Sequence, residues 1–309
     1  MSEPFVFPTP TPSPVSGVVT AAAPPALPIS LPLPAHGQRR VLIGWSNILR
    51  DVHGEIVTTD PVAAAALYAK HTAAVEAVER LTPRPLVAPL GAMDAAEEAW
   101  VKNVASTPAF INAFGQRGWS FVRAPLDILV TWQPVIDSPL KPPPTSAQEV
   151  IERFVPEKEE SIAYSSAITP DPQGGFHVTL TAANPNHDLD VRVNADASVT
   201  ARLKGKSNIV HGVRIPNGRI VVLNGYNRLA QAASTGHTAV PLLLLEPGHP
   251  AGAVGDRAGF LPINLIVNHR RPPLIPDFFN PEIAIDVPRR EVSRVHDLSV
   301  KHTEFLMPR

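Results

Sequence analysis

The chain contains no cysteine, which excludes disulfides, thiolate catalysis and thiolate zinc sites while leaving the redox compartment open. It also lacks an excess of charge of either sign: 27 basic side chains stand against 28 acidic ones, and the pI is near 6.8. No global field therefore draws in DNA or anionic lipid, and contact with nucleic acid would need a local patch. No apolar run reaches the roughly 20 residues that span a bilayer. The N-terminus "MSEPFVFPTPTPSP" carries Glu3 where a signal peptide carries lysine or arginine. The expectation is a cytoplasmic protein without a membrane partner.

What is present is a chain of 309 residues, 44% of them apolar, long enough for one large or two ordinary domains with a proper core. Residues 1–38 alternate proline with small and apolar residues, which removes amide donors and fixes φ, so this stretch reads as a disordered proline-rich leader. "PTPTPSP" within it has the composition of a linker or of a polyproline segment that docks in an aromatic-lined groove.

Residues 39–115 read as a helical layer. Asp60 before Pro61 marks a helix start, and Leu67, Ala74, Val75, Val78 and Leu81 fall on one face of the helix that follows. Asp94 with Glu97 forms a capping-box pattern ahead of Trp100, Val101 and Val104. Thr107 and Pro108 start a further short turn that Gly115 ends, with Phe110 and Phe114 read as core. Thr145 with Gln148 is read as the cap of another brief helix through Phe154.

From Ser161 to Leu203 the period changes to two. "GGFHVTLTA" and "DLDVRVNA" read as antiparallel strands between turn residues. Beyond Glu246 the spacing of prolines leaves no room for a long helix. Residues 248–309 are therefore expected to run extended along the domain, with "REVSRVHDLSV" as their one strand.

The most organised stretch is Pro216 to Glu246, "PNGRIVVLNGYNRLAQAASTGHTAVPLLLLE". Asn217-Gly218 reads as a type I′ hairpin turn before the apolar strand "RIVVL". A short helix follows from Tyr226, stopped by Gly236, and "AVPLLLLE" reads as a second buried strand. The loop Asn224-Gly225 thus delivers backbone amides at the positive end of a helix dipole, a geometry suited to phosphate. Gly225 permits close approach of a ligand. Arg228 in the first turn opposes the dipole unless a negative group sits beside it; a ligand phosphate and a structural carboxylate both satisfy that condition.

"GYNRLAQAASTGHTAVPLLLLE" resembles the signature segment of the ParB/sulfiredoxin-like superfamily, in which a strand leads into a Gly-x-x-Arg box and an alanine-rich helix, followed by Gly and a "vP" strand. The match covers about Ile209 to Glu246, and "FVRAPLDILVTWQPVID" is similar to the family's opening strand and turn. The resemblance implies an α+β fold with a mixed sheet over residues 116–247, the β-rich segment being an insertion. It also implies a box that binds nucleotide phosphate, CTP or ATP with Mg²⁺, with Gly225 as the close-approach glycine and Arg228 as the phosphate arginine. Asn224, Tyr226 and Asn227 complete the box, and Ser207 and Asn208 ahead of it are expected to add donors. Tyr226 occupies the place of sulfiredoxin's reactive cysteine, which removes that activity. No helix-turn-helix pattern follows Glu246, so partition of chromosomes by specific DNA reading is not implied.

Three function classes follow from these residues: a phosphate-ligand switch; a nuclease or phosphotransfer enzyme borrowing a carboxylate such as Glu246 or Asp277; and an interaction protein working through its leader or through the tail around Phe278 and Phe279. "LKGKSN" is not a P-loop, because Thr200 stands where the first glycine is required. His177, His187, His211, His237, His269 and His296 lack the paired spacing of a metal site, and no metal ligand set is expected. His269, Arg270 and Arg271 form the densest basic cluster, read either as phosphate contacts or as partners of nearby carboxylates.

Overall fold

The computed structural model describes residues 31–46, 58–83, 87, 89–139, 141–157, 163–172, 175–182, 187–194, 199–205, 208–256, 259–289 and 294–300. In chain order these contain β1 (Gln38–Leu42), α1 (Pro61–Arg80), α2 (Ala95–Ala105), α3 (Pro108–Phe114), β2 (Trp119–Pro125), β3 (Leu129–Thr131), β4 (Val135–Asp137) and α4 (Ala147–Phe154). There follow β5 (Ser165–Pro170), β6 (Phe176–Ala182), β7 (His187–Val193), β8 (Val199–Gly205), β9 (His211–Arg214), β10 (Ile220–Asn224), α5 (Tyr226–Ser234) and β11 (Ala239–Leu245). The chain ends with α6 (Ile263–Asn268), β12 (Ala284–Pro288) and β13 (Arg294–Val300). The fold class is α+β. Most of leader 1–38 lies outside the described residues, and no helix of the described residues is long and apolar enough to cross a membrane.

The core is organised by a mixed five-stranded sheet of order β2-β11-β9-β10-β3. β11 runs parallel to β9 and antiparallel to β2, while β10 is antiparallel to β9 and parallel to β3. Leu242, Leu243, Val221 and Val222 are fully buried, as expected for strands covered on both faces. Pro241 sits in β11 without costing a ladder bond. Its partner Arg123 turns both its N–H and its carbonyl to Gly91, so the pair is a non-hydrogen-bonded one, and the β9 ladder begins only at Leu243.

Local signals place the helices. Asp60 caps α1 through the Val62 amide, Asp94 and Glu97 form a reciprocal capping box on α2, and Thr107 caps α3, which Gly115 ends at φ 71°. In α4 the cap is Ser146, not Thr145: the Ser146 hydroxyl accepts from the Glu149 amide, and Glu149 reaches back to the Thr145 N–H and hydroxyl. The box is one residue later than the sequence spacing indicated. α5 closes with a Schellman pair, His237 N–H to the Ala232 carbonyl and Gly236 N–H to that of Ala233.

Three further expectations change. The hairpin between β9 and β10 has Pro216-Asn217 as its central pair, since the Gly218 N–H bonds the Ile215 carbonyl, and Gly218 follows at φ 84°. This is a three-residue loop with a bulge, closed by Ile215 and Arg219; a two-residue Asn217-Gly218 turn would be closed by Pro216, which has no N–H to give to the pair. In α1, Ala74, Ala77 and Val78 are the buried residues, and Val75 is 39% exposed. The tail holds two strands rather than one, and β12 pairs with β1 to form the sheet β12-β1-β4. The period-two segment does fold into antiparallel strands: β5 and β13 flank β6, and β7 pairs with β8.

Arg40 fastens the tail to the amino end. Its side chain is almost fully buried and forms a two-pronged pair with Asp286 (2.6 and 2.8 Å), while Nη1 donates to the carbonyls of Pro32 (2.6 Å) and Phe278 (3.2 Å). Arg40 itself is buried, while the Asp286 side chain stays 29% exposed, so water can partly replace the lost guanidinium there. Arg40→Ala is expected to cost about 1.5–3 kcal/mol, whereas Arg192→Ala, whose pair with Asp190 is exposed, should cost under about 1 kcal/mol. Urea unfolding of the two variants measures the difference.

Candidate functional site

The Gly-x-x-Arg box lies at the end of β10. Gly225 is the N-terminal boundary of α5 with φ 100° and ψ 16°, a left-handed conformation that favours glycine. A Cβ there would lie 2.6 Å from Val210 Cγ2. The close approach that the glycine permits is thus to a protein side chain, Val210, packed against the backbone from the segment leading into β9.

Each box residue has a defined contact. The Asn224 side-chain amide donates to the Ile209 carbonyl at 3.0 Å. Tyr226 is 5% exposed and its hydroxyl donates to the Val222 carbonyl at 2.5 Å, so the ring packs on the sheet. Asn227 is exposed, and its Oδ1 accepts from the Asp137 N–H of β4 at 2.9 Å. Half-buried Arg228 donates through Nη1 to the carbonyl of Arg153 at 2.7 Å and to that of Asn208. The backbone carbonyl of Asn208 thus meets the box as an acceptor. Ser207 lies outside the described residues, as does Lys206.

The Arg153 carbonyl belongs to the last turn of α4, where carbonyls lack intrahelical donors and the dipole is negative. The neighbouring ends are satisfied in the same region: Phe154 O by the Val210 N–H (2.8 Å) and Val155 O by the Trp100 indole (2.8 Å). Arg228 is thus at the unfavourable end of α5 and the favourable end of α4. The sequence showed the first fact and could not show the second, since 75 residues separate Arg228 from Arg153.

His211 is a residue that motif reading passed over. It lies in register opposite Asn224, its Nδ1 donates to the Ile209 carbonyl (2.9 Å), and its ring stands edge-on to Phe114 at 5.2 Å. Desolvation lowers its pKa from 6.5 to about 4; the Ile209 bond opposes this, and the charges of Arg228 and His249 add to it.

Other candidates are placed elsewhere. Asp277 cannot act as a borrowed base: it is 4% exposed, both oxygens are held by Arg271 (2.6 and 3.0 Å), and one also accepts the Leu274 N–H. Phe278 and Phe279 are fully buried, which removes them as a docking surface. Arg270 pairs with Glu79 at 2.9 Å, with His269 3.8 Å from the same carboxylate. His177 faces Asp171, and His187 meets His296 at 3.1 Å. Among the described residues no group of three His, Cys, Asp or Glu side chains is placed to hold a metal. Glu246 is exposed at the end of β11.

Two outcomes test this geometry. Gly225→Ala should destabilise the protein by about 1–3 kcal/mol through positive φ and the Val210 contact. The loss should be smaller in a Val210→Ala background, because the two positions touch; strict additivity in a double-mutant cycle would show that the contact does not constrain the site. His211 has a depressed folded pKa, so its contribution is present above about pH 6.5 and falls as the pH drops toward 4. The loss, up to roughly 3 kcal/mol, should appear in urea titrations between these pH values and be absent in His211→Phe.

Comparison with protein-family models, with curated proteins and with solved structures finds no match for this chain.

Proposed function

We propose that this chain is a divergent ParB/sulfiredoxin-like protein whose α5 entrance binds the phosphate of a small molecule, a nucleotide such as CTP or ATP, as a switch rather than as a substrate. The observation that carries the reading is the uncapped start of α5. Side chains of Asp60, Asp94, Thr107 and Ser146 cap α1 to α4, but Gly225 offers none to α5. The first-turn amides and Arg228 make a donor set suited to an anion. The box contains no carboxylate, so Mg²⁺ would arrive on the phosphates.

The same geometry gives the switch a physical route. A phosphate at the α5 entrance competes with the Arg153 and Asn208 carbonyls for Arg228. Charge-assisted bonds of this type contribute roughly 1.5–3 kcal/mol, so the exchange is close to balanced, and binding would loosen α5 from α4 and from the approach to β9. The carbonyl partners also alter one expectation: Arg228→Ala should weaken the unliganded protein rather than relieve a dipole conflict.

The test is a thermal-shift titration with CTP, ATP and GTP in the presence of Mg²⁺. At 100 times its dissociation constant a true ligand adds about 2.7 kcal/mol of stability. Arg228→Lys, which keeps the charge but loses the fork, should bind more weakly than wild type, and Arg228→Ala should give no shift. A wild-type protein unmoved by all three nucleotides, together with a destabilised Arg228→Ala, would establish the arginine as purely structural and end this reading.

A further inference from the structure

The antiparallel segment carries an open strand edge that shares no residue with the α5 entrance. Among the described residues β5 (Ser165–Pro170) pairs on one side only, with β6, and all six of its residues are exposed. A free edge is a row of unpaired N–H and C=O groups, which proteins guard with charge, a bulge, proline or a covering element. β5 reads SSAITP, without a charge, and its register with β6 is unbroken from Ser165 to Pro170. Its one guard is the proline at the end.

The register shows which backbone groups face outward. The Asp171 N–H bonds the Gly175 carbonyl at 3.2 Å, and these two residues continue the pairing in which Pro170 opposes Phe176. Hydrogen-bonded pairs alternate along an antiparallel ladder, so Thr169, Ala167 and Ser165 turn their groups to β6, while Ser166, Ile168 and Pro170 turn theirs to the open side. Pro170 has no N–H there, so it costs the β6 ladder nothing and can only accept. The side chains beside the edge are also uncovered. Ile168 is 70% exposed and Phe176 41% exposed, and alternation places both on the face that buries Leu180. Tyr164, 47% exposed, precedes the strand at a position of the same parity.

We propose that β5 pairs antiparallel with β5 of a second copy of this chain, joining two three-stranded sheets of order β13-β6-β5 into one. A copy is selected because the edge complements itself. With the twofold axis beside Ala167, Ser166 of each copy opposes Ile168 of the other, and both pairs exchange their N–H and C=O groups in full. Pro170 then falls opposite position 164, beyond the partner strand, where its missing N–H leaves no bond of β5 unmade. An axis at Ile168 would instead put Pro170 opposite Ser166 and leave the Ser166 carbonyl without a donor, and an axis at Ser166 would pair Ile168 with position 164, outside the strand. No like charges meet, because β5 has none. The same register brings Tyr164 of each copy opposite Pro170 of the other, on the face where Phe176 is exposed, so the contact covers apolar area as well as the edge.

The chain has no cysteine, so in Ala167→Cys the thiol has only its counterpart in the second copy to pair with. Opposed residues of a non-hydrogen-bonded pair lie about 4.5 Å apart at Cα, inside the disulfide range. In Ser165→Cys the two thiols would sit four residues apart along the strands, about 13 Å and out of reach. Mild oxidation of the full chain should therefore link Ala167→Cys into a dimer and leave Ser165→Cys unlinked. Ser166→Pro removes an outward N–H that β6 does not use, so it should keep the far-UV circular dichroism and weaken dimerisation about tenfold or more in sedimentation equilibrium. A wild-type chain that sediments as a monomer up to its solubility limit overturns the proposal. So does a dimer that Ser166→Pro leaves intact, or equal linking at positions 165 and 167, either of which would place the contact on another surface.

Discussion

A chain with 36 prolines has 36 fewer backbone N–H donors than carbonyls, and the folded protein is built around that deficit. Arginine supplies much of what is missing. Arg40 reaches the carbonyls of Pro32 and Phe278, Arg153 that of Pro142, and Arg271 that of Pro272. Arg219 donates to Ile266, Val267 and His269 at the end of α6, as Arg228 does at the end of α4. A guanidinium carries five N–H groups in a fixed fork, so one side chain can close several carbonyls that a proline-interrupted backbone leaves open. Two of these arginines also hold carboxylates, Arg40 with Asp286 and Arg271 with Asp277, and the tail stays on the core through them.

This economy explains which parts of the fold were legible in the sequence. Helix starts are local chemistry: Asp60-Pro61, Asp94 with Glu97, and Thr107-Pro108 each satisfy amides within a few residues of themselves, so spacing alone exposes them. The stop at Gly236 is equally local. The misplaced cap of α4 is an error of one residue between two adjacent hydroxyls. The hairpin was recognised but assigned the wrong turn, because Asn-Gly outweighed the missing N–H of Pro216.

Non-local features were not legible. β1 and β12 are short, lie almost 250 residues apart as judged by the Arg40–Asp286 pair, and show no alternation strong enough to mark either one alone. The burial of Phe278, Phe279 and Asp277 depends on the tail folding back over α5 and β3. No period or motif states that. For the box the division is the same: the strand, the glycine and the helix were readable, but the partners of Arg228 and Asn227 come from α4, β4 and the approach to β9.

The donor deficit also bears on how Arg228 could serve a ligand. An arginine recruited only to close carbonyls has no reason to stand at the positive end of another helix, where its charge is opposed by the dipole. Arg40 closes carbonyls from β1 and Arg219 from the residue before β10, and neither incurs such a cost. Arg228 is the one of the three placed in a helical first turn, in a helix whose N-cap residue, Gly225, has no side chain to cap it. Its bonds to Arg153 and Asn208 offset the conflict in the free protein, and a phosphate would remove it outright by meeting the amides and the guanidinium together. In the free protein Arg228 thus joins the entrance of α5 to the end of α4 and to the approach to β9.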